Sequence, residues 1–452
     1  MKKETIIQII IIILLIIGLG VLVYFTVRPN NNNQEQATNQ EQSAMQKRGG
    51  GSSSTNIEYS AAKEITEDSE ISGENFESTT SDENSVLING DADVSLSDSV
   101  INKTGDSDGG DNTSFYGTNS AILAKGGANL TLKNITVTTD AKGANGVFSY
   151  GGSATTNNSS SDGTIVNISD STITTTKDNS GGIMTTGGGT MNATNLTITT
   201  SGTSSAAIRT DRGGGLVNVD GGTYTTNGQG SPAVYSTADV TVSNAKLISN
   251  TSEGLIIEGS NSITINNCEV TDTNNKLNGQ STTYKNVFLY QSMSGDAANG
   301  NAVFTAKDST ITTNKGDSFY VTNTTASINL TNNNIVNNDE SGYFLRAQKD
   351  SWGKSGSNGG NVTLVMTNQS ATGDIYIDSI STLNMSISNG SYYEGAINSD
   401  NTAKSITLNL DSTSRIKLTG DTYVTSFDDA DSNYSNIDFN GFKLYVNGTA
   451  IN

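Results

Sequence analysis

A short motif recurs along most of this chain, and it restricts the folds that the chain can adopt. An apolar residue is followed two positions later by Asn, Asp or Gly, and a second apolar residue lies five positions after the first, as in Leu132, Asn134 and Val137. Asn, Asp and Gly tolerate a positive φ better than other residues do. The middle residue therefore predicts a sharp bend between two short strands. The five-residue offset turns both apolar side chains toward one interior.

The motif is spread over most of the chain after residue 86. Its other instances are Leu96/Asp98/Ile101, Ile168/Asp170/Ile173, Ala193/Asn195/Ile198, Val219/Gly221/Tyr224, Val242/Asn244/Leu247, Ile265/Asn267/Val270, Ala306/Asp308/Ile311, Leu330/Asn332/Ile335, Met366/Asn368/Ala371 and Ile387/Asn389/Tyr392. A polar loop and another short apolar strand commonly follow, as in GVFSY, GGIMTT and EGLIIEG. A single repeat cannot bury its apolar face alone, so the repeats are expected to stack.

A family resemblance follows from this repeat. Residues 254–275, GLIIEGSNSITINNCEVTDTNN, resemble one coil of the right-handed parallel β-helix of the pectate-lyase-like superfamily. The resemblance implies an all-β fold, a single-stranded right-handed parallel β-helix, in which about 13 coils stack at a strand spacing of about 4.8 Å. Lyases, hydrolases, adhesins, phage tailspikes and carbohydrate-binding modules share this architecture, so the resemblance indicates the fold and leaves the activity open.

The sequence divides into four segments. Residues 6–27 form an apolar run interrupted by Gln8 and Thr26, which is long enough to cross a bilayer. Because Lys2 and Lys3 precede the run, we interpret residues 1–28 as an uncleaved signal anchor with a cytoplasmic N-terminus; a cleaved signal peptide is the alternative. Residues 29–56 read as a flexible tether, 57–85 as an N-terminal cap, and 86–452 as the β-helix with a C-terminal cap. This organisation predicts a single-pass protein of the cell membrane with an extracellular β-helix.

Composition excludes several kinds of function. The chain has no histidine, which removes Ser-His-Asp triads, Cys-His dyads and histidine-ligated zinc. Its single cysteine, Cys268, cannot form an internal disulfide. The formal net charge of −20 argues against nucleic acid and against anionic lipid headgroups as partners of the folded part.

Alternation in the strand that follows each polar loop assigns its faces. Where Leu255 and Ile257, or Phe319 and Val321, point inward, the residues between them point outward. The outward column reads Phe148, Met184, Arg209, Tyr235, Ile256, Phe288, Tyr320, Phe344 and Tyr376. A second column, two residues further on, contains Tyr150, Asp211, Glu258, Tyr290, Arg346 and Asp378. Two alternatives remain: a register error of one residue would place these side chains in the core, and long loops could cover them.

Exposed aromatic rings flanked by charged groups suit a glycan, because sugar faces pack on rings and sugar hydroxyls bond to charged groups. We therefore predict noncatalytic binding of a polysaccharide or cell-surface glycan, of the adhesin or carbohydrate-binding type. The predicted ligand-binding residues are Arg209, Asp211, Tyr235, Glu258, Phe288, Tyr290, Tyr320, Phe344, Arg346, Tyr376 and Asp378. The alternatives are a lyase or hydrolase acting on acidic polysaccharide, and a structural spacer at the cell surface. No catalytic residue is assigned.

Two acidic segments raise the question of a bound cation. They contain Asp106, Asp108 and Asp111 in GDSDGGDN, and Asp428, Asp429 and Asp431 in FDDADSN. Carboxylate oxygens on loops suit Ca²⁺, but neither segment has the spacing of an EF-hand. Solvated acidic loops are the favoured interpretation, and no cofactor is expected.

Overall fold

The computed structural model describes residues 57–108, 110–153 and 160–452 of the chain. The predicted anchor, residues 1–28, and the predicted tether, residues 29–56, lie outside the described residues. Within these ranges the chain is all-β, with short strands and one six-residue helix, Asp111–Tyr116. No helix in the described ranges has the length and apolar character needed to cross a membrane.

Most strands pair in parallel with their counterparts one repeat later, which produces three long ladders. The first ladder consists of Ala61–Ile65, Asn84–Asn89, Ile122–Lys125, Val147–Tyr150, Ile183–Thr186, Ile208–Thr210, Val234–Ser236, Leu255–Glu258, Lys285–Tyr290, Asp317–Thr322, Leu345–Ala347 and Ile375–Ile377. Every neighbouring pair in it is parallel.

The second and third ladders together form the largest sheet. The second ladder consists of Ser69–Ser72, Asp93–Ser97, Asn129–Lys133, Ile165–Ser169, Gly189–Thr200, Gly215–Thr226, Asp239–Ser243, Ser262–Asn266, Asn301–Lys307, Thr324–Thr331, Gly360–Thr367, Thr382–Ser388, Ser405–Leu410 and Ser426–Asp429. The third ladder contains Asn75–Ser78, Val100–Lys103, Thr136–Thr139, Thr172–Thr175, Lys246–Ser249, Glu269–Asp272, Thr310–Thr313 and Asn334–Asn337. The long strands Gly189–Thr200 and Gly215–Thr226 run through both ladders.

Two smaller sheets contain the remaining strands. A four-stranded parallel sheet consists of Ser370–Thr372, Tyr392–Glu394, Arg415–Lys417 and Ile437–Asp438. A three-stranded sheet consists of Thr422–Val424, Leu444–Val446 and Thr449–Ala450, the last two of which pair antiparallel. Extensive parallel pairing at a spacing of one repeat is compatible with a parallel β-helix.

The bends lie at the predicted positions. Every Asn or Asp in the middle of the motif has φ between 49° and 57°, and Gly221 has φ of 75°. Many of these side chains also bond to the bend of a neighbouring repeat. Asn134 Nδ2 donates to Asp98 Oδ1 over 2.6 Å, and Asn267 Nδ2 donates to Asn244 Oδ1 over 2.8 Å. The motif therefore encodes both the backbone conformation and a contact between successive bends.

The apolar interior is shared by all three ladders. Leu255, Ile263 and Val270 come from the first, second and third ladders, and all three are fully buried in one cluster. Phe319 and Val321 belong to the same cluster, which confirms the inward faces expected from alternation. Burying each such side chain contributes about 1.5–3 kcal/mol relative to leaving it exposed.

The motif extends further than the sequence pattern indicated, and its last instance is shifted. In segment 57–85, Ile71, Gly73 and Phe76 repeat the spacing, Gly73 has φ of 74°, and the strands there join the ladders. In the last instance Tyr393, not Tyr392, points into the core. Ile387 aligns with Met366 and Tyr393 aligns with Ala371, so this bend is one residue longer than the preceding one.

A buried polar column accompanies the bends on the inner side. The backbone N–H of Cys268 donates to Ser309 Oγ over 3.0 Å, and that of Ser309 donates to Asn333 Oδ1 over 3.0 Å. The N–H of Asn333 donates to Gln369 Oε1 over 2.8 Å, and that of Gln369 donates to Ser391 Oγ over 3.0 Å. These side chains satisfy N–H groups that would otherwise be buried without partners. Cys268 is a buried free thiol within this column.

Candidate functional site

The outer face of the first ladder carries one continuous column of side chains. Consecutive Cα partners are Phe148, Met184, Arg209, Tyr235, Ile256, Phe288, Tyr320, Arg346 and Tyr376. Sequence alternation predicted this register at every position except one. The aromatic side chains of this column do not belong to the main core. They are separated from the apolar side chains that point inward.

Phe344 is the exception and is corrected by the structure. Leu345 pairs with Phe319, so Arg346 aligns with Tyr320 in the outward column. Phe344 lies in the main core, with its ring centroid 5.4 Å from that of Phe319 and 6.1 Å from that of Tyr393. The sequence Tyr-Phe-Leu is ambiguous to an alternation rule, because three large apolar residues follow one another. Phe344 is therefore a core residue rather than a surface one.

The first part of the column is covered. Phe148, Tyr150 and Met184 form a buried cluster that is separate from the main core. Tyr116, at the end of the helix, packs edge-on against Tyr150 with ring centroids 5.6 Å apart. Thr186 Oγ1 donates to the carbonyl oxygen of Phe115 over 2.7 Å, which holds the helix against the ladder. Of the alternatives left open by the sequence, the structure shows the loop-covered one here, because a segment without strand periodicity covers the outward face.

The middle of the column is also covered. The rings of Phe288 and Tyr290 stack with centroids 4.4 Å apart and planes 17° from parallel. Trp352 lies over both, 5.4 Å from Phe288 and 5.2 Å from Tyr290. Tyr320 is fully buried, and its hydroxyl donates to Asp350 Oδ2 over 2.6 Å. Segment 348–358, which contains Trp352 and Asp350, therefore covers these rings.

Glu258 forms a buried hydrogen-bonded cluster next to these rings. Only 1% of its surface is exposed. Its carboxylate accepts hydrogen bonds from the hydroxyls of Tyr235, Tyr290 and Ser292. Burial raises the pKa of Glu258, while the bond from Ser292 opposes that rise. The three donors satisfy a group whose ionised form would otherwise be costly to bury.

Two ion pairs adjoin this cluster. Arg209 contacts Asp211 at 3.0 Å, and Arg212 contacts Asp296 at 2.7 Å. Burial raises the pKa of Asp211 to about 7; Arg209 opposes this rise, and the charges of Asp296 and Glu258 add to it. The structure thus groups three carboxylates and two guanidinium groups. The Arg212–Asp296 pair is not predictable from sequence patterns, because its members are 84 positions apart and both lie in aperiodic loops.

The last part of the column is partly open. Arg346 Nε donates to the fully buried Asp317 over 2.5 Å, and its guanidinium lies 4.3 Å from the Tyr343 ring centroid and 5.3 Å from that of Tyr376. Tyr376 and Arg346 are both half-buried. A cation beside an aromatic face is a stabilising arrangement. The bond to Asp317 therefore fixes the position of the Arg346 guanidinium beside the Tyr376 ring.

Beside Tyr376 lies an open pocket of about 320 Å³. Its lining residues are Gln348, Lys349, Tyr376, Asp378, Ser379 and Thr402. Asp378 accepts the backbone N–H of Lys349 over 2.9 Å and the hydroxyl of Ser381 over 2.6 Å. Asp378 is largely buried, so it shapes the pocket wall. Of the predicted ligand-binding residues, Tyr376 and Asp378 lie at this opening, with Arg346 next to them.

The acidic segments show no metal centre within the described residues. No group of three or more Asp, Glu or Cys side chains in these ranges could hold a metal ion. Asp108 accepts the backbone N–H of Gly110 over 3.1 Å, and Asp431 accepts those of Asn433 and Ser435, each over 3.0 Å. These carboxylates stabilise local turns.

Comparisons of the chain with protein-family models, with curated proteins and with solved structures return no match. Strand pairing, bend conformation and side-chain contacts are therefore the observations from which a function can be inferred.

Proposed function

We propose that this chain is a membrane-anchored, extracellular protein whose described part is a right-handed parallel β-helix of the pectate-lyase-like type. Parallel pairing at a spacing of one repeat and the positive φ at each bend support this architecture. The apolar run at residues 6–27 supports the anchor. On this proposal the anchor holds the β-helix at the outer surface of the cell.

The function that we propose is noncatalytic glycan binding at the pocket beside Tyr376. The observation that carries this proposal is the half-buried Tyr376 ring, flanked by the Arg346 guanidinium and bordered by Gln348, Lys349 and Asp378. An aromatic face can pack against a sugar ring, and amide, ammonium and hydroxyl groups can bond to sugar hydroxyls. The covered parts of the column would then support the pocket rather than contact the ligand.

The test is a glycan array probed with the full chain in detergent micelles. We expect binding to at least one bacterial or plant polysaccharide, and a loss of at least about tenfold in affinity in Tyr376→Ala. Tyr392→Ala is the matched control, because Tyr392 is also half-buried but lies in the four-stranded sheet. Absence of binding to every polysaccharide, or equal losses in both variants, would contradict the proposal.

A second candidate function is hydrolysis or lysis of an acidic polysaccharide. It is favoured by the grouping of Asp211, Glu258 and Asp296 with Arg209 and Arg212, since carboxylates in different environments can act as acid and base. Burial of Glu258 would require the segment around Ser292 to move before a substrate could reach it. Release of reducing or unsaturated ends from uronic-acid polymers by the full chain, abolished in Asp211→Asn, would replace the binding function by this one.

A further inference from the structure

A polar trough of about 560 Å³ lies at the turns that follow the third ladder. Its size is within the range of small-molecule sites, about 300–1,000 Å³. Lys142, Lys177 and Lys276 stand around it, and Gly202 and Gly228 are among its lining residues. This surface, named the lysine trough, does not include Tyr376 or any other predicted ligand-binding residue.

Two glycines make the trough because successive turns approach each other closely there. Gly202 and Gly228 occupy the same place as Lys177, two residues after the aligned Thr175, Thr200 and Thr226. A Cβ atom on Gly202 would lie 1.9 Å from the Lys177 carbonyl oxygen, and one on Gly228 would lie 1.7 Å from the Gly202 oxygen. The chain therefore stacks two successive turns without side chains, and the absent side chains leave the depression.

The neighbouring loop closes one end of the trough. Gln229 Nε2 donates to the carbonyl oxygen of Leu277 over 2.6 Å, which fixes the segment that follows strand Glu269–Asp272. This segment carries Lys276. At the other end, the backbone N–H of Lys142 donates to Asp106 Oδ1 over 2.8 Å. Hydrogen bonds thus hold the backbones beside Lys142 and Lys276 in place.

The three lysines around the trough differ in whether they form an ion pair. Lys177 pairs with Asp140 at 3.2 Å, whereas Lys142 and Lys276 form no ion pair with any residue in the described ranges. Asp178, the other lining carboxylate besides Asp106, accepts the backbone N–H of Thr203 over 2.8 Å. Although the chain is acidic overall, charges beyond the Debye length of about 8 Å are largely screened at physiological salt. The local field at the trough is therefore set by the charges that line it, which are Lys142, Lys177 and Lys276 together with Asp106 and Asp178.

We propose that the lysine trough binds a segment of an anionic glycan. The ammonium groups of Lys142 and Lys276 would contact its carboxylate, sulfate or phosphate groups, because neither is held in an ion pair by the described residues. The side chains of Thr176, Thr203 and Gln229 line the trough and offer hydrogen bonds to sugar hydroxyls. This site is independent of the Tyr376 pocket and of the glycan binding proposed there.

Binding is to be measured by isothermal titration with the full chain in detergent micelles. The probes are dextran sulfate, a polyuronate, a poly(glycerol phosphate) and neutral dextran, so that the source of the negative charge is distinguished. We expect binding to at least one charged probe, none to neutral dextran, and weakening with added salt. Lys142→Gln with Lys276→Gln should weaken binding about tenfold or more, because each substitution removes a charge-assisted contact.

Two further variants test whether binding depends on the lysines of the trough or only on the net charge of the protein. Lys246→Gln with Lys307→Gln removes the same charge from exposed side chains outside the trough, and should change affinity less than about twofold. Thr203→Trp fills the trough without changing charge and should abolish binding. Circular dichroism checks that each variant is folded. The proposal would be overturned if the wild-type chain bound no charged probe, or if it bound neutral dextran equally well. It would also be overturned if the two lysine double variants lost affinity equally, or if folded Thr203→Trp still bound fully.

Discussion

Tyr290 donates its hydroxyl hydrogen to Oε2 of Glu258 over 3.2 Å, and the two residues are direct partners on neighbouring strands of the first ladder. The contact lies on the outward face of the ladder, under the Trp352 ring. A carboxylate on one strand therefore accepts a hydrogen bond from the aligned phenol on the next strand. Both side chains are almost fully removed from water.

Removal of this donor is expected to destabilise the protein. Tyr290→Phe leaves a buried carboxylate with one partner fewer, which should lower the free energy of unfolding by about 1.5–3 kcal/mol. Urea denaturation followed by circular dichroism measures the change. Tyr284→Phe is the control, because its hydroxyl makes only a long, exposed contact of 3.5 Å with Asn275, and it should cost less than about 0.5 kcal/mol. Equal effects of the two substitutions would contradict this role of Glu258.

The raised pKa of Asp211 predicts a pH dependence of stability. Between the usual Asp pKa of about 4 and the folded value of about 7, the folded state holds a proton that the unfolded state has released. Stability should therefore fall as pH rises through this window, by up to a few kcal/mol at about 1.4 kcal/mol per pKa unit. Denaturation at pH 4.5 and pH 7.5 gives the difference. Asp211→Asn should make that difference smaller, and an unchanged difference would show that Asp211 does not titrate in this range.

The bend residues are expected to be sensitive to loss of a positive-φ residue. Asn134→Ala should lower the free energy of unfolding by about 1–2 kcal/mol, because alanine is strained at φ of 53°. It also loses the bond to Asp98. Asn134→Gly removes the same bond but tolerates the conformation, so it should be the milder change. The order Gly worse than Ala, in thermal or urea denaturation, would contradict the assignment of this bend.

The ion pair between Arg346 and Asp317 is expected to contribute to stability. Arg346→Met leaves the fully buried Asp317 carboxylate without its counter-charge, which should cost about 3–5 kcal/mol in guanidinium denaturation. In an Asp317→Asn background the same Arg346→Met change should cost much less. Equal costs in both backgrounds would mean that the two side chains are not coupled.

The fold could be predicted further than the site, and particular residues explain why. Asn134 and Asn267 indicate bends because few residues tolerate a positive φ, and this constraint is local to the residue. The register of Tyr235 and Tyr376 follows from strict alternation along a strand. Both features are therefore present in short stretches of sequence.

Exposure could not be predicted in the same way. Tyr116 and Trp352 cover the aromatic column from loops that have no periodicity, and each packs against a strand distant in sequence. The prediction that Phe344 points outward is wrong, because alternation is undefined within Tyr-Phe-Leu and the residue lies in the core. The Ser292 contact with Glu258 joins residues 34 positions apart. Such contacts depend on where loops fold back, which pattern rules do not describe.

The helix Asp111–Tyr116 has a consequence for how the molecule melts. A stack of repeats in which each contacts only its neighbours can fray from its ends, one repeat at a time. Here the carbonyl of Phe115 binds Thr186, which lies two strands beyond Ile122–Lys125 in the first ladder, and Ser114 contacts Arg209 on the strand after that. The helix thus links the repeats that contain Thr186 and Arg209. This end of the ladder is therefore expected to unfold as one cooperative unit.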